Sequence, residues 1–100
     1  MSSLKVSVPH SLGQDTAVSR IKNLLGELKE EFSGQVSDVK ENWEGNKNLF
    51  SLKVMGLNID GDIIVGQNDV TLNGNLPITA VPFKGMIEEP IKDKMQILLD

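Results

Sequence analysis

The feature that most constrains this chain is a period-two alternation of apolar and polar residues. It runs through residues 4–8, 50–55, 57–65 and 70–76, so that every second side chain in these segments is mainly apolar. Because successive side chains of a strand point to opposite faces, the pattern predicts strands with one buried and one solvated face. Short glycine-containing turns separate the last three segments, which predicts an antiparallel meander.

A helix is predicted over residues 12–32. Ser11 and Gln14 have the spacing of a capping box, in which the two residues bond each other's backbone amides at a helix start. The apolar residues of this segment cover an arc of about 120°, which is typical of a helix that lies on a core. Ser33 and Gly34 mark its end.

The closing segment, residues 85–100, is predicted to form a second helix with a wider apolar face, of about 220°. A single sheet needs a narrower stripe, so we expect the surplus to contact the first helix, a second protomer or another apolar surface. Pro90 fits this helix if it lies in the first turn, with a start near residue 88. An earlier start should kink the helix at Pro90.

These elements predict an α+β fold of two layers in one domain, residues 1–100. One antiparallel sheet carries the N-terminal and the C-terminal helix on one face, in the order β-α-β-β-β-(β)-α. The bracketed element is an edge strand or extended connection at residues 78–81, between Pro77 and Pro82. A polar strand over residues 36–43 precedes the meander.

Composition narrows the classes of function. The chain has no cysteine and one histidine, which excludes disulfides, thiolate nucleophiles and zinc sites rich in cysteine or histidine. Its net charge of −4 disfavours a nucleic-acid partner. A lysine precedes any apolar run at the N-terminus, and no apolar stretch approaches the roughly 20 residues of a membrane span. We therefore expect a cytoplasmic protein without a signal peptide or a transmembrane segment.

Patterns typical of catalysis are also missing from the sequence. His10 is expected to bond backbone or solvent at the helix start, because no nucleophile–base pattern accompanies it. Asp60 and Asp62 share a strand face and could contribute to a calcium site, but a solvated face is expected because no oxygen-rich loop surrounds them. We predict no catalytic residue, no cofactor and no metal site, and hence a protein that is not an enzyme.

Five strings, found in order along the chain, resemble the polyhydroxyalkanoic acid system protein family. They are residues 6–13 (VSVPHSLG), 43–46 (WEGN), 55–56 (MG, before a strand that contains Gly61), 76–77 (LP) and 82–88 (PFKGMIE). That family occurs with bacterial polyhydroxyalkanoate genes and is described as associated with, or regulating, polyester granules. The resemblance therefore implies a granule surface or granule proteins as partners, and it carries over no catalytic residue. The element order also resembles a shortened helix-grip (START-like) fold, whose larger members hold apolar ligands between sheet and terminal helix.

The resemblance and the apolar surplus favour a non-catalytic accessory protein associated with polyhydroxyalkanoate granules or their biosynthesis machinery. The alternative is a small carrier that binds an apolar acyl or hydroxyacyl ligand between the sheet and the C-terminal helix. A homodimer is a further hypothesis, and ordinary core packing is the competing explanation for the same side chains. The candidate contacts with a ligand or surface are Trp43, Phe50, Phe83, Met86, Met95, Ile97 and Leu99.

Overall fold

Strands and helices follow one another in a simple order in the structure, a computed structural model that describes residues 2–100. The strands of this part form one antiparallel sheet, and the helices lie on one side of it. The predicted α+β class is confirmed. The elements are β1 (Ser2–Pro9), α1 (Gln14–Ile21), α2 (Leu24–Glu31), β2 (Val36–Glu44), β3 (Lys47–Val54), β4 (Leu57–Val65), β5 (Asp69–Leu76), a 3₁₀ helix (Ile78–Phe83) and α3 (Lys84–Leu99).

The order of strands in the sheet is β1-β5-β4-β3-β2. Strands β2 to β5 form a meander, and β1 pairs with β5, so that the first and the last strand of the chain are neighbours. Cross-strand partners share a face, and the alternation therefore places apolar residues on the face toward the helices. The register Val6–Leu72–Ile63 shows this directly, since all three side chains are buried.

The core lies between this apolar face and the helices as one cluster of buried side chains. Burial of these apolar side chains is the main force that holds the helices to the sheet. The helices contribute Ala17, Ile21, Leu24, Leu25, Leu28, Ile87, Met95 and Leu99, and the strands contribute Leu4, Val6, Val8, Phe50, Ile59, Ile63, Val65, Val70, Leu72 and Leu76.

The predicted single helix over residues 12–32 is wrong, because the segment forms α1 and α2 with a break at Lys22 and Asn23. The Asn23 amide bonds the carbonyl oxygen of Arg20, three residues back, which tightens the chain at the break. The predicted capping box is wrong as well. Helix α1 begins at Gln14 after Gly13, and the Gln14 side chain instead donates to the carbonyl oxygen of Val65.

The prediction of an edge strand or extended connection at residues 78–81 is also wrong. Residues Ile78–Phe83 form a 3₁₀ helix that runs directly into α3. Since α3 begins at Lys84, Pro90 lies inside the helix and not in its first turn, so the predicted start near residue 88 is wrong. Proline has no amide hydrogen, so the carbonyl of Met86 lacks the helical partner that residue 90 would supply. The similarity to a helix-grip fold stays a prediction.

Helix α3 is fixed at both ends by polar contacts. Near its start, the Glu88 carboxylate accepts the backbone amide of Lys5 at 3.0 Å, which satisfies a donor on the edge strand β1. At its end, Arg20 Nη1 donates to the carbonyl oxygen of Asp100 at 2.7 Å. These contacts, together with the core, determine how α3 lies over the sheet.

Candidate functional site

A cavity of about 180 Å³ lies between α2, α3 and the apolar face of the sheet. Helix α2 and the segment after it form one wall, the strands form the floor, and α3 forms the roof. Compact interiors keep few voids larger than a water molecule, so a space of this size is a specific feature of the fold. The lining residues are Leu4, Leu25, Leu28, Phe32, Gln35, Val36, Phe50, Leu52, Val54, Met55, Ile59, Leu72, Met86, Ile87, Pro90 and Ile91.

A row of the sheet that contains two glycines crosses the floor of the cavity. The sheet register runs Leu4–Gly74–Gly61–Phe50, and the two outer members of this row line the cavity. The two glycines do not line the cavity themselves, and a Cβ atom at Gly74 would lie 3.4 Å from the side chains of Leu4 and Ile59. The predicted contact Phe50 lines the cavity and is buried.

The mouth of the cavity is marked by lining residues that are also exposed: Gln35, Met55 and Met86. The amide of Met55 donates to the carbonyl oxygen of Gln35 at 2.7 Å, which ties the β3–β4 turn to the loop after α2. Methionine side chains are flexible and polarisable, so two of them at one opening can adapt to occupants of different shape.

The second notable feature is a stretch of exposed apolar side chains over residues 78–86, which we call the apolar segment. Ile78 is 84% exposed, Phe83 43% and Met86 69%, and Val81 is exposed as well. Single exposed apolar residues are ordinary, but four within nine residues form a concentrated apolar surface. Because Met86 belongs to both features, the apolar segment adjoins the cavity mouth.

The predicted contact residues fall into separate places. Phe50 and Met86 line the cavity, and Phe83 lies with Met86 in the apolar segment. Met95 and Leu99 are buried in the core. The two remaining residues, Trp43 and Ile97, lie away from both features. Whether any of these residues contacts a ligand or a surface stays a prediction.

Sequence reasoning missed Met55, Ile78 and Val81. The alternation over residues 50–55 places Met55 on the solvated face of a strand, whereas the structure places it in a two-residue turn. Ile78 and Val81 are predicted to lie in an edge strand or extended connection, and the structure places them in the 3₁₀ helix. Their spacing of three residues, between two prolines, is the signal that could have indicated the 3₁₀ turn.

Trp43 belongs to a polar cluster at the far end of the sheet. Asn48, directly opposite it on β3, is fully buried and donates to Glu41 Oε1 at 3.0 Å. The indole nitrogen donates to the same oxygen at 3.3 Å, and Lys22 Nζ lies 5.9 Å from the ring centroid. This cation–π contact joins the break between α1 and α2 to the sheet. Trp43 therefore has a structural partner on each side.

Ile97 lies on the outer side of α3, in a shallow groove between α2 and α3. The same groove contains Lys94, whose Nζ lies 2.6 Å from a Glu31 carboxylate oxygen and 3.9 Å from one of Glu27. The hydrogen bond with Glu31 raises the pKa of Lys94 above its ordinary value of 10.5, and the negative charges of both glutamates act in the same direction. The groove is held together by charge and exposes one large apolar side chain.

His10 bonds the backbone, as expected. Its Nδ1 accepts the amide of Leu12 at 3.1 Å, so the ring hydrogen lies on Nε2, which donates to the carbonyl oxygen of Gly66 at 3.0 Å. The side chain is buried in this position. His10 therefore fastens the end of β1 to the β4–β5 turn, and both nitrogens are engaged in doing so.

The two aspartates on the polar face of the sheet are paired with asparagines. Asn75 donates to Asp60 at 2.8 Å, and Asn73 donates to Asp62 at 3.1 Å. Both hydrogen bonds join the neighbouring strands β5 and β4. No group of three or more histidine, aspartate or glutamate side chains positioned for a metal ion occurs in residues 2–100. Over the same residues, no helix is both long and apolar enough to cross a membrane.

The sequence matches a family model over most of its length. Residues 4–99 match the model of a family described as "Putative polyhydroxyalkanoic acid system protein". The match covers both the cavity and the apolar segment. No curated protein matches the chain by sequence similarity.

Proposed function

The chain belongs to the family of polyhydroxyalkanoic acid system proteins, and from this premise we propose that it is a non-catalytic cytoplasmic accessory protein that associates with the surface of polyhydroxyalkanoate granules. The observation that carries the proposal is the apolar segment. A protein whose partner is an apolar polymer needs apolar side chains that are already exposed, and this segment offers four of them in one place.

The physical basis of adsorption is the removal of these side chains from water. A fully buried side chain of this size contributes about 1.5–3 kcal/mol, and a polymer surface that covers part of each side chain recovers a fraction of that value. Ile78 and Phe83 together then contribute about 1.4 kcal/mol or more, which is a factor of ten or more in partition. The opposite face of the sheet is largely polar and stays in water.

The test uses purified protein and particles of amorphous polyhydroxybutyrate that are sedimented by centrifugation. The variant Ile78→Ser/Phe83→Ser removes two exposed side chains that lie outside the cavity lining. The matched control is Leu49→Ser/Ile64→Ser, because these residues are 53% and 40% exposed on the other face of the sheet. Both variants remove exposed apolar surface and leave the core intact.

We expect the first variant to lose at least tenfold in its partition to the particles, and the control to stay within twofold of the original protein. Melting temperatures of both variants check that folding is unchanged. Equal partition of all three proteins, or a larger loss in the control, contradicts the proposal because adsorption would then not use the apolar segment.

A further inference from the structure

We propose that the cavity between α2, α3 and the sheet binds the hydrocarbon end of one short acyl chain, of about four to six carbons, with its carbonyl end at the mouth. This site is distinct from Ile78 and Phe83, so it can exist with or without granule adsorption. The argument rests on three properties of the cavity: its lining, its volume and its mouth.

The lining selects an apolar occupant. Gln35 is the one polar residue among the lining residues that the structure describes, and all the others are aliphatic, aromatic, thioether or proline side chains. A water molecule needs two or more polar partners, which this lining does not supply, so the cavity favours a small hydrocarbon occupant. A carboxylate or a phosphate would lose its hydration there without gaining a charged partner.

The volume selects a short occupant. An apolar cavity of roughly 150 Å³ accommodates benzene, with six carbons, so a cavity of about 180 Å³ has space for about seven non-hydrogen atoms. A butyryl or hexanoyl tail fits within this limit. A chain of ten or more carbons extends beyond the mouth into water.

The mouth orients the occupant. Gln35, Met55 and Met86 are the lining residues at the surface, and Gln35 carries the amide that can donate a hydrogen bond to a carbonyl oxygen. The hydrocarbon tail therefore enters first and the carbonyl group remains beside Gln35. This arrangement suits a neutral acyl ester or thioester, including a hydroxyacyl group whose hydroxyl lies near the carbonyl end.

The experiment titrates the protein with methyl butyrate, methyl hexanoate, methyl octanoate and methyl decanoate, and follows the methyl signals of labelled isoleucine and methionine by NMR. We expect saturable shifts at Ile87 and Met55, which line the cavity, and no shifts at Ile97, which does not. In an open groove each added methylene raises affinity about fourfold. In this cavity the affinity should stop rising when the acyl chain reaches six to eight carbons.

A matched pair of variants on β2 tests the location. Val36 lines the cavity, whereas Val39, also half-buried, packs against the core outside it. Val36→Phe fills the cavity and should weaken methyl hexanoate binding at least tenfold, while Val39→Phe should leave it within twofold. If Val36→Phe does not fold, Val54→Phe fills the same space from β3.

Competition by polyhydroxybutyrate particles distinguishes two sources of the acyl chain. Displacement of bound methyl hexanoate assigns the chain to the polymer, and unchanged binding assigns it to a free small molecule; both results support the site. Val36→Phe should adsorb to particles as well as the original protein does if adsorption uses Ile78 and Phe83 alone. The proposal is overturned by unsaturable binding, by affinity that keeps rising to ten carbons, or by equal binding to Val36→Phe and Val39→Phe.

Discussion

Gly61 on β4 lies directly opposite Gly74 on β5, and the two backbones approach so closely that a side chain at Gly61 has no room. A Cβ atom built on Gly61 would lie 1.9 Å from the carbonyl oxygen of Asn73 and 2.7 Å from the Cα atom of Gly74. Both of these are backbone atoms, which the sheet holds in place. The same construction at Gly74 gives contacts of 3.4 Å, all to side-chain atoms of Leu4 and Ile59.

Gly61→Ala is therefore expected to lower the free energy of unfolding by about 2–3 kcal/mol, because β4 and β5 must separate to admit the methyl group. Gly74→Ala is the matched control, and we expect a change within about 1 kcal/mol because its neighbours can adjust. Urea unfolding of both variants measures the difference. Equal effects of the two substitutions would mean that the strands are not packed as closely as the structure shows.

Met55 adopts a backbone conformation that its side chain does not favour. It has a φ of 50°, and with Gly56 at 82° it forms the two-residue turn between β3 and β4. Asparagine and glycine are the usual residues at such positions. Met55→Asn should thus raise the free energy of unfolding by about 0.5–1 kcal/mol, while it removes one apolar side chain from the cavity mouth.

Met86→Asn provides the comparison for this variant, because Met86 also lies at the mouth but within α3. There the same change should lower stability by a few tenths of a kcal/mol, since asparagine is a weaker helix former than methionine. Thermal unfolding gives both values. A loss of stability in Met55→Asn would show that the turn does not have the positive φ described here.

The Lys94–Glu31 pair predicts a stability contribution with a defined dependence on pH. Glu31 raises the pKa of Lys94, so the folded state binds this proton more tightly than the unfolded state does. The contribution of the pair to the free energy of unfolding is complete below pH 10.5. It is lost as the pH rises through the higher pKa that Lys94 has in the folded protein. The difference in stability between the original protein and Lys94→Met should be constant from neutral pH to about 10 and then shrink.

Lys92, exposed on the same helix, gives the control. At neutral pH the stability difference between the original protein and Lys92→Met should be smaller than that for Lys94→Met, because Lys92 forms none of the ion pairs found in residues 2–100. Urea unfolding midpoints at pH 7 to 11.5 follow both differences. A stability difference between the original protein and Lys94→Met that grows above pH 10.5 would contradict the direction of the pKa shift.

The sheet could be predicted from the sequence because its signal is local. Val6, Leu72 and Ile63 each occupy an apolar position in an alternating segment, and all three are buried in one row of the sheet. The break between α1 and α2 gives no comparable signal. Ile21 and Leu24 keep helical spacing across it, so the apolar periodicity continues where the helix itself does not.

The cavity and the apolar segment depend on tertiary packing, which periodicity does not describe. Phe50 and Leu25 are ordinary apolar residues in the sequence, and only the positions of α2 and α3 leave a gap between them. The sequence predicts more apolar residues on α3 than the sheet can cover, because the apolar face of this helix spans about 220°. The distribution of this surplus was not predicted, because Met95 and Leu99 pack inward while Met86 and Ile97 face water.

The central claim is that the apolar segment brings this protein to polyester granules, and granule fractionation tests it most directly. Cells that accumulate polyhydroxybutyrate would produce the original protein, Ile78→Ser/Phe83→Ser or Leu49→Ser/Ile64→Ser, and the granules would be isolated on a density gradient and probed for each protein. We expect the original protein and the Leu49→Ser/Ile64→Ser control to be enriched with the granules. At least nine-tenths of the Ile78→Ser/Phe83→Ser variant should remain in the soluble fraction, which corresponds to about a tenfold loss of granule binding. An original protein that stays entirely in the soluble fraction, or a variant enriched as strongly as the original, would contradict the central claim.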